Sequence, residues 1–347
     1  MPMSDAADAP RIAIVGATGA VGTTLARLIE ERDFRYRAVH LVASARSAGK
    51  ELPLDGTTHR VQDLAGFDFS TVDIAFFSAG TEVSRQWVPS AVAAGALVID
   101  NTNAFRMDPD TPLVVPQVNA GRLDERPVSG IIANPNCSTI PLVRLLHPVQ
   151  REWGVEQVVV STYQAASGRG HSGISELRED TRRALARPEE APIAKEFTPS
   201  LAFDLVPSID QPLDDGFTLE EQKMRQESAK ILGLPGFDLT ATCVRVPVVN
   251  SHSEAVWVRT ASEVDRDRLM EVLAQAPEVT VYDTLATGAF PTPRTTQDPD
   301  QVHVGRIRIT PQDRRAFWMW IVADNLRIGA ALNALQIAEE LVRRGTR

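Results

Sequence analysis

Apolar and polar positions alternate in two different ways along the first part of the chain. Four short apolar runs predict buried strands, at 11–15, 38–43, 72–78 and 97–99. Between them, apolar residues recur at helical spacing, as in the segment that carries Val21, Leu25 and Ile29. Strands that are buried on both faces read as continuous apolar runs, so this alternation predicts an α/β fold with a doubly wound parallel sheet.

The second half of the chain has a more β-rich pattern. Strands are predicted near 157–163, 240–248, 254–260 and 316–323, which favours an α+β domain. A Pro-rich segment at 187–212 separates two of them, and we expect it to cover a neighbour or an active-site edge. Helical spacing returns from about Arg327 to Arg343 and predicts a final helix.

A glycine turn follows the first strand directly. Its cofactor-binding candidates are Gly16, Thr18, Gly19, Ala20, Val21 and Gly22, and a helix comes next. A strand, a glycine turn and a helix in this order place a pyrophosphate on the N-terminus of the helix. The GxxGxxG spacing is only moderately specific, and a tight turn without a ligand is the alternative.

The end of the second strand indicates which dinucleotide would bind. A sheet that binds NAD usually carries an acid here for the ribose 2′-hydroxyl, whereas this chain has Ser44, Arg46 and Ser47, followed by Lys50. Hydroxyls and a guanidinium suit a 2′-phosphate, so the sequence favours NADP over NAD. A solvated basic loop is the alternative.

Composition excludes several functional classes. The 347 residues are 43% hydrophobic and carry a net charge of −9, which disfavours nucleic acid as a partner. No apolar run approaches about 20 residues, so no membrane span is expected. The first ten residues lack the basic and apolar regions of a signal peptide and are expected to form a frayed tail. The presence of only two cysteines argues against a disulfide framework and favours a reducing cytoplasm. The six histidines show no ligand spacing with either cysteine, so no metal site is expected.

Cys137 is the candidate nucleophile. A short apolar strand over 128–133 precedes it, and apolar residues at helical spacing follow it up to Gly154. We therefore expect Cys137 in the first turn of a helix, where free backbone N–H groups and the helix dipole favour a thiolate. A small buried residue at a strand–helix junction is the alternative.

Several segments now occur together in a fixed order. They are GATGAVG at 16–22, AFRM at 104–107, VVPQVN at 114–119, NPNCST at 134–139, STYQAASG at 161–168, EEQKM at 220–224, CVRVPV at 243–248, HSE at 252–254, GRIR at 305–308 and DNLRIGAALNALQIAEEL at 324–341. In this order they resemble the aspartate-semialdehyde dehydrogenase family, from Arg11 nearly to the end of the chain. N-acetyl-glutamyl-phosphate reductase is a close relative of that family.

The resemblance implies a domain organisation and a reaction. A Rossmann-type dinucleotide-binding domain over 1–134 would be completed by the C-terminal helix at 325–347, and 135–324 would form the catalytic and dimerisation domain of a homodimer. The reaction is the reversible NADP-dependent conversion of L-4-aspartyl phosphate to L-aspartate-4-semialdehyde and inorganic phosphate through a cysteine thioester, in the biosynthesis of lysine, threonine, methionine and isoleucine.

The resemblance also assigns the reacting and cofactor-binding groups. Cys137 would be the nucleophile, His252 the acid and base near neutral pH, and Gln164 would orient the substrate. Ser78, Ser167, Gly168 and Asn325 would join the glycine turn in binding NADP.

Five residues are expected to bind substrate. By resemblance, Arg245 grips the α-carboxylate and Glu220 meets the ammonium, while Lys223, Arg106 and Asn136 hold phosphate. Thr218 and Glu221 have the spacing of a capping box, which would leave Glu220 free to face a ligand. An exposed Glu220–Lys223 ion pair of little consequence is the alternative reading.

Two positions depart from the family pattern. Residues 101–103 read Asn-Thr-Asn rather than Asn-Ser-Ser, near the phosphate, and Ile328 stands where Lys is common and is expected to alter a surface contact. Rival functions are an N-acetyl-glutamyl-phosphate reductase, a malonyl-CoA-type reductase on the same fold, or a catalytically silent binding homologue. A silent homologue should have lost Cys137, His252 or Arg245, and all three are present.

Overall fold

A computed structural model describes residues 9–346, so most of the expected N-terminal tail lies outside the described residues. Backbone contacts divide the chain into two compact units. The first comprises the described residues up to Pro135 together with those from Ala330 onward. The second spans Asn136–Gly329.

The first unit is built on a six-stranded sheet. Its strands and an adjoining hairpin are β1 (Arg11–Val15), β2 (Ala38–Ala43), β3 (Glu51–Leu54), β4 (Thr57–Arg60), β5 (Gln62–Asp63), β6 (Ile74–Phe77), β7 (Leu97–Asp100) and β8 (Ile131–Ala133). The order is β5-β2-β1-β6-β7-β8 with every pair parallel, while β3 and β4 pair antiparallel. This order, which reverses direction beside β1, is that of a doubly wound nucleotide-binding sheet and confirms the predicted fold class.

Helices cover this sheet. They are α1 (Ala20–Glu31), α2 (Thr81–Ala93), the short α3 (Pro116–Asn119) and α9 (Leu332–Arg344). The central strands are buried throughout, with Ile12, Ile14 and Phe76 fully inaccessible, because helices pack on both faces of a parallel sheet. Arg32 of α1 donates two hydrogen bonds to Glu339 of α9, at 2.8 and 2.9 Å, which fixes the C-terminal helix beside the first.

The second unit contains a mixed six-stranded sheet. Its strands are β9 (Val155–Gln164), β10 (Asp238–Arg245), β11 (His252–Thr260), β12 (Val279–Val281), β13 (Val302–Thr310) and β14 (Asp313–Ala323), in the order β10-β9-β11-β14-β13-β12. Its helices are α4 (Thr139–Trp153), α5 (Gly170–Ala186), α6 (Leu219–Leu232), α7 (Arg266–Ala274) and α8 (Thr284–Thr287). This mixed sheet with separate helices confirms the predicted α+β class.

The two faces of the mixed sheet differ in chemistry. Thr162, Gln164, Arg245, His252 and Glu254 alternate along β9, β10 and β11 with their side chains buried on one face. On the opposite face, Trp257 pairs with Trp318, and Trp320 lies opposite Ala255, all of them partly exposed. The first face carries the candidate chemistry, and the second carries a patch of partly exposed tryptophans.

Several sequence expectations need correction. Helix α5 and strands β12 and β13 were not predicted. Helix α5 has few apolar positions, β12 is only three residues long, and a register shift between Gly305 and Arg308 interrupts β13. The segment 187–212 contains neither helix nor regular strand, as expected. Ile328 is wrong as a surface residue: it is fully buried, because residues 327–331 form a π-helical turn that enters the core. None of the helices within residues 9–346 combines the length and apolarity needed to cross a membrane.

Candidate active site

Cys137 lies in the turn that begins helix α4, as expected. The Oδ1 atom of Asn136 accepts from the backbone N–H groups of Ser138 and Thr139, at 2.9 and 3.4 Å, and its carbonyl accepts from the backbone N–H of Ile140 at 3.1 Å, so Asn136 caps the helix. The regular helical pattern is complete only from Thr139, because Pro141 has no N–H to donate to the carbonyl of Cys137. Cys137 remains partly exposed beside the positive end of the helix. The position therefore still favours a thiolate.

His252 faces the sulfur of Cys137. Its Nε2 atom lies 3.3 Å from Sγ, and its Nδ1 atom accepts from the backbone N–H of Ala165 at 3.0 Å. Since Nδ1 is occupied as an acceptor, the neutral ring carries its proton on Nε2, pointing at Cys137. Burial lowers the pKa of His252 well below its usual value, and the charge of Arg245 lowers it further. The ring is therefore neutral and donates towards the sulfur.

Gly329 is a site residue that the sequence reasoning missed. A Cβ atom at this position would lie 2.7 Å from Cβ of Cys137, closer than real contacts allow. Only glycine permits the backbone at 329 to approach the nucleophile this closely. The available signal was the single glycine inside the otherwise helical segment 324–341.

The carboxylate of Glu220 contacts three other predicted site residues, Asn136, Gln164 and Lys223. The capping box of Thr218 and Glu221 is present, as predicted, which leaves Glu220 to accept from Nδ2 of Asn136 at 2.9 Å and Nε2 of Gln164 at 3.1 Å. Burial raises the pKa of Glu220, but the charge of Lys223 and these hydrogen bonds outweigh burial, and the net pKa is lowered. A charged carboxylate thus lies in a buried polar cluster, and the exposed-ion-pair alternative is excluded.

Lys223 has a second acidic neighbour. Its Nζ atom lies 3.2 Å from Oε2 of Glu220 and 2.5 Å from Oδ2 of Asp210. Asp210 ends the long segment before α6 and has a φ of +70°, in the left-handed region. Sequence reasoning missed Asp210, because nothing in an isolated loop indicates which helix it will contact.

Arg245 is buried at the end of β10. Its Nη1 atom donates to the carbonyl of Ala165 at 2.8 Å, and its guanidinium carbon lies 6.0 Å from the ring centre of Phe197. Burial lowers the pKa of Arg245, although the charge of Glu220 opposes this effect. A Cβ atom at Gly168 would lie 2.5 Å from Nη1, so Gly168, predicted to bind cofactor, is packed against this guanidinium.

Ser167 and Asn325, two further cofactor candidates, meet in the second unit. Oγ of Ser167 lies 2.8 Å from Oδ1 of Asn325 and 2.9 Å from Oδ1 of Asn250. Oδ1 of Asn325 also accepts from the backbone N–H of Ser251, whose φ is +72°. This network fixes the turn that leads directly into His252, and Asn250 was not predicted as part of it.

The predicted glycine turn is tightly packed against the neighbouring backbone. A Cβ atom at Gly22 would lie 2.3 Å from the carbonyl oxygen of Gly16, and one at Gly16 would lie 2.8 Å from the carbonyl group of Ser78. The turn is bound to the second strand, since Gly16 donates to the carbonyl of Val42 at 2.8 Å. Helix α1 starts after Gly19 without a side-chain cap, which leaves its first N–H groups to a ligand.

The basic loop after β2 reaches this turn through Ser47. Oγ1 of Thr18 lies 3.3 Å from Oγ of Ser47, and Nζ of Lys50 lies 3.4 Å from the same oxygen. Ser44 and Arg46 are exposed. The glycine turn and the basic loop, which were both predicted to bind a dinucleotide, therefore lie next to each other in the first unit.

Arg106 is buried in the first unit. It donates to the backbone carbonyls of Asn134, at 2.9 Å, and Asn101, at 2.8 Å. The unusual residues 101–103 thus form the loop against which Arg106 is held. Among residues 9–346 there is no group of three or more His, Cys, Asp and Glu side chains that could bind a metal.

Family models match both units of the chain. The model for the NAD binding domain of semialdehyde dehydrogenases matches residues 11–126, and the model for their dimerisation domain matches residues 146–328. An aspartate-semialdehyde dehydrogenase of Aquifex aeolicus is 45% identical over 336 residues, covering 96% of this chain and 98% of the relative. One from Bacillus subtilis is 43% identical over 343 residues, covering 95% and 96%.

Solved structures agree with these matches. Aspartate semialdehyde dehydrogenase II of Vibrio cholerae, complexed with ASA, is similar with a TM-score of 0.93 and 44% identity, over 96% of this chain and 98% of that one. The enzyme of Candida albicans with NADP has a TM-score of 0.77 and 26% identity, over 97% and 99%. The chain belongs to the aspartate-semialdehyde dehydrogenase family, a family of oxidoreductases.

Proposed function

We propose that the protein catalyses the reversible NADP-dependent conversion of L-4-aspartyl phosphate to L-aspartate-4-semialdehyde and inorganic phosphate, in amino-acid biosynthesis. The observation that carries this proposal is the pair of Cys137 Sγ and His252 Nε2 at 3.3 Å, in a chain of this family. The first unit would bind the dinucleotide, and Asn136–Gly329 would supply catalysis and dimerisation.

NADP fits the first unit because Gly16 and Gly22 let the turn pack tightly at the start of α1, whose N-terminus has no side-chain cap. Residues 16–22, with Ser78, would hold the pyrophosphate, and Ser44, Arg46 and Ser47 would contact the 2′-phosphate. Ser167, Gly168 and Asn325 are proposed to complete the binding of the cofactor. When bound, the reduced form of the cofactor would supply a hydride in reduction, and the oxidised form would accept one in the reverse direction.

Cys137 would carry the acyl group. In the direction of reduction, the thiolate attacks the carbonyl carbon of the acyl phosphate, the C–O bond to phosphate breaks, and a thioester forms. A hydride delivered to the carbon of this thioester would leave a negative oxygen on the group held by Cys137. The C–S bond breaks as the carbonyl re-forms, which releases the aldehyde and restores the thiolate.

His252 would stabilise that negative oxygen as a neutral donor. Its Nε2–H faces the reacting sulfur because Ala165 occupies Nδ1. The thiohemiacetal anion collapses directly to aldehyde and thiolate, so the protons balance without one leaving the ring, and the single proton that the overall reaction consumes goes to the released phosphate. The same hydrogen bond serves the reverse reaction, in which the thiolate adds to the aldehyde.

The substrate residues support an amino-acid substrate. Arg245 would bind the α-carboxylate with its planar guanidinium, and Glu220 would bind the ammonium. An ionised Glu220 favours a cationic amine over an N-acetylated one, because a carboxylate binds an ammonium group more strongly than a neutral amide. Gln164 is proposed to orient the substrate, and Lys223, Arg106 and Asn136 to bind the phosphate.

The second unit also offers the surface for a homodimer. Trp257, Trp318 and Trp320 form a partly exposed apolar patch on one face of the mixed sheet, and Val159 is exposed beside Trp257. A patch of this kind on a family-defined dimerisation domain is suited to a second copy of the chain. Both thiols are free, which is consistent with the proposed cytoplasmic location.

The experiment is phosphate-dependent reduction of NADP with L-aspartate-4-semialdehyde, compared with N-acetyl-glutamate-5-semialdehyde. We expect turnover with the first substrate, and we expect Cys137→Ala to abolish it while NADP still binds. Cys243→Ala is the matched control, since burial raises the pKa of that thiol far above neutral and makes it inert. A preference for the N-acetylated substrate would contradict the proposal, as would turnover by Cys137→Ala.

A further inference from the structure

Helix α5 carries two buried carboxylates that the proposed mechanism does not use. Glu176 and Asp180 lie one turn apart and are 8% and 2% exposed. Glu176 accepts from three successive backbone N–H groups, at Lys195 (3.2 Å), Glu196 (2.9 Å) and Phe197 (3.1 Å). Asp180 accepts from the backbone N–H of Ile193 at 2.8 Å and from the hydroxyl of Ser200. The two carboxylates thus fix residues 193–200, in the Pro-rich segment between α5 and α6.

This fixed stretch places Phe197 against Arg245. The ring packs in an apolar cluster with Leu177, Leu201 and Val206, and its centre is 6.0 Å from the guanidinium carbon of Arg245. The packing on α5 is tight, because a Cβ atom at Gly173 would lie 3.0 Å from the Phe197 ring. The position of the ring therefore depends on how residues 195–197 are attached to the helix.

The same segment holds the backbone of Arg245. Val206 and Arg245 form an antiparallel bridge, with N–H···O distances of 3.0 and 2.8 Å. The guanidinium is held separately, by the carbonyl of Ala165 and the face of Phe197. The Pro-rich segment consequently contacts both the main chain and the side chain of the residue proposed to bind the α-carboxylate.

We propose that Glu176 is a positioning residue for the substrate α-carboxylate, acting through Phe197 on the guanidinium of Arg245. This inference rests on the proposed function of Arg245 and adds the residue that sets its orientation. An Arg side chain has many rotamers, and binding is weakened when it must be ordered anew for each substrate. A ring fixed beside the guanidinium limits its rotamers before the substrate binds, so less conformational entropy is lost on binding.

A carboxylate suits this role better than an amide. Both oxygens of the Glu176 carboxylate accept from backbone N–H groups. In Glu176→Gln, one of these oxygens becomes an NH₂ donor directed at the same N–H groups. Residues 195–197 should then detach from α5, while the reacting groups Cys137 and His252 keep their own contacts.

The experiment measures KM for the semialdehyde, phosphate and NADP, and kcat, in the full-length enzyme. In Glu176→Gln we expect KM for the semialdehyde to rise about tenfold, equivalent to about 1.4 kcal/mol of binding, with the other two KM values within about twofold. Glu179→Gln is the matched control, because Glu179 is an exposed residue of the same helix that pairs with Arg182. It should leave every constant unchanged.

Three further experiments test whether the effect passes through Phe197. Hydrogen exchange at residues 195–197 should be faster in Glu176→Gln than in Glu179→Gln. Phe197→Leu should raise KM for the semialdehyde, and combining it with Glu176→Gln should add little, because both changes act on the same contact. Glu176→Asp retains the carboxylate and should restore part of the affinity.

Unchanged exchange at 195–197, additive effects of the two substitutions, or an equal rise in all three KM values would each overturn the positioning role. A fall in kcat with KM for the semialdehyde unchanged would also overturn it. Failure of the parent enzyme to use the semialdehyde would instead overturn the proposed function, which separates the two conclusions.

Discussion

A backbone N–H group decides the chemistry of His252. Because Ala165 donates to Nδ1, the ring presents its proton to Cys137, and the lowered pKa keeps the ring neutral. The thiolate would then be stabilised by a neutral hydrogen bond rather than by an imidazolium charge. Sequence reasoning identified the residue and expected an acid and base, since it cannot place a proton on one of two ring nitrogens.

This arrangement predicts how Cys137 reacts in two His252 variants. His252→Gln retains an N–H donor near the position of Nε2, whereas His252→Ala has none. A hydrogen bond to a charged group is worth about 1.5–3 kcal/mol, so the thiolate pKa in His252→Ala should rise by about 1–2 units. The pH dependence of alkylation by iodoacetamide measures this pKa. Similar profiles in the Gln and Ala variants would show that the charge of the ring matters instead.

Arg46 is the residue that should distinguish the two dinucleotides. Arg46→Ala removes a charge-assisted contact to the 2′-phosphate, so Kd for NADP should rise about tenfold or more, with little change for NAD. Titration of both cofactors by fluorescence measures the two values. Equal losses for NADP and NAD would mean that Arg46 does not contact the 2′-phosphate.

Helix α6 is the element that brings substrate residues together. Its capping box leaves Glu220 and Lys223 on the buried side of the first turn. The sequence predicted this cap, because it depends on residues adjacent in the chain. It did not predict Asp210, whose contact with Lys223 depends on how the preceding loop folds back.

The cap of α6 should affect both stability and substrate binding. Thr218→Ala removes an acceptor for the N–H of Glu221 and should cost about 1 kcal/mol of unfolding free energy. It should also raise KM for the semialdehyde by a few fold, because Glu220 lies in the first turn. Asp265→Ala is the control: it removes the cap of α7, which carries no proposed site residue. Urea unfolding and steady-state kinetics test the pair, and equal KM values in both variants would contradict the coupling.

At the scale of the whole molecule, Glu254 should make stability depend on pH. Neither carboxylate oxygen of Glu254 has a hydrogen-bond partner among residues 9–346, and burial raises its pKa well above the usual value. The folded protein keeps this proton where the unfolded chain has lost it. Stability from this group is therefore present at low pH and declines as pH rises above about 4.3, the value in unfolded chains.

His252 contributes in the opposite direction. Its pKa is lowered in the folded protein, so its contribution to stability is lost as pH falls below about 6.5. The contribution of His252 is the same in the parent and in Glu254→Gln, so the difference between their unfolding free energies isolates the effect of Glu254. As the pH rises from 5 to 8, the unfolding free energy of the parent should fall relative to that of Glu254→Gln. Urea unfolding followed by tryptophan fluorescence measures both values. Glu125→Gln, at an exposed site, should behave like the parent, and parallel curves for all three would contradict the prediction.

The sequence by itself determined the fold class, the glycine turn, the capping box and the family. These features are local: apolar periodicity, glycine spacing and cap residues act within a strand, a turn or a helix. Element boundaries were less well determined, as in the strand before Cys137, which was predicted over 128–133 and covers only Ile131–Ala133. The departures at 101–103 could be seen, but their contact with Arg106 could not.

Only the tertiary structure decided the contacts that orient the site. The tautomer of His252 depends on Ala165, and the guanidinium of Arg245 lies over the ring of Phe197. In both pairs the residues are far apart in the chain. The burial of Ile328 likewise follows from no local sequence pattern. Strand β9 brings Ala165 beside His252 because β9 and β11 pair antiparallel, and that pairing depends on the whole sheet. Hydrogen bonds and close packing require positions set to fractions of an ångström, and many distant contacts together fix those positions.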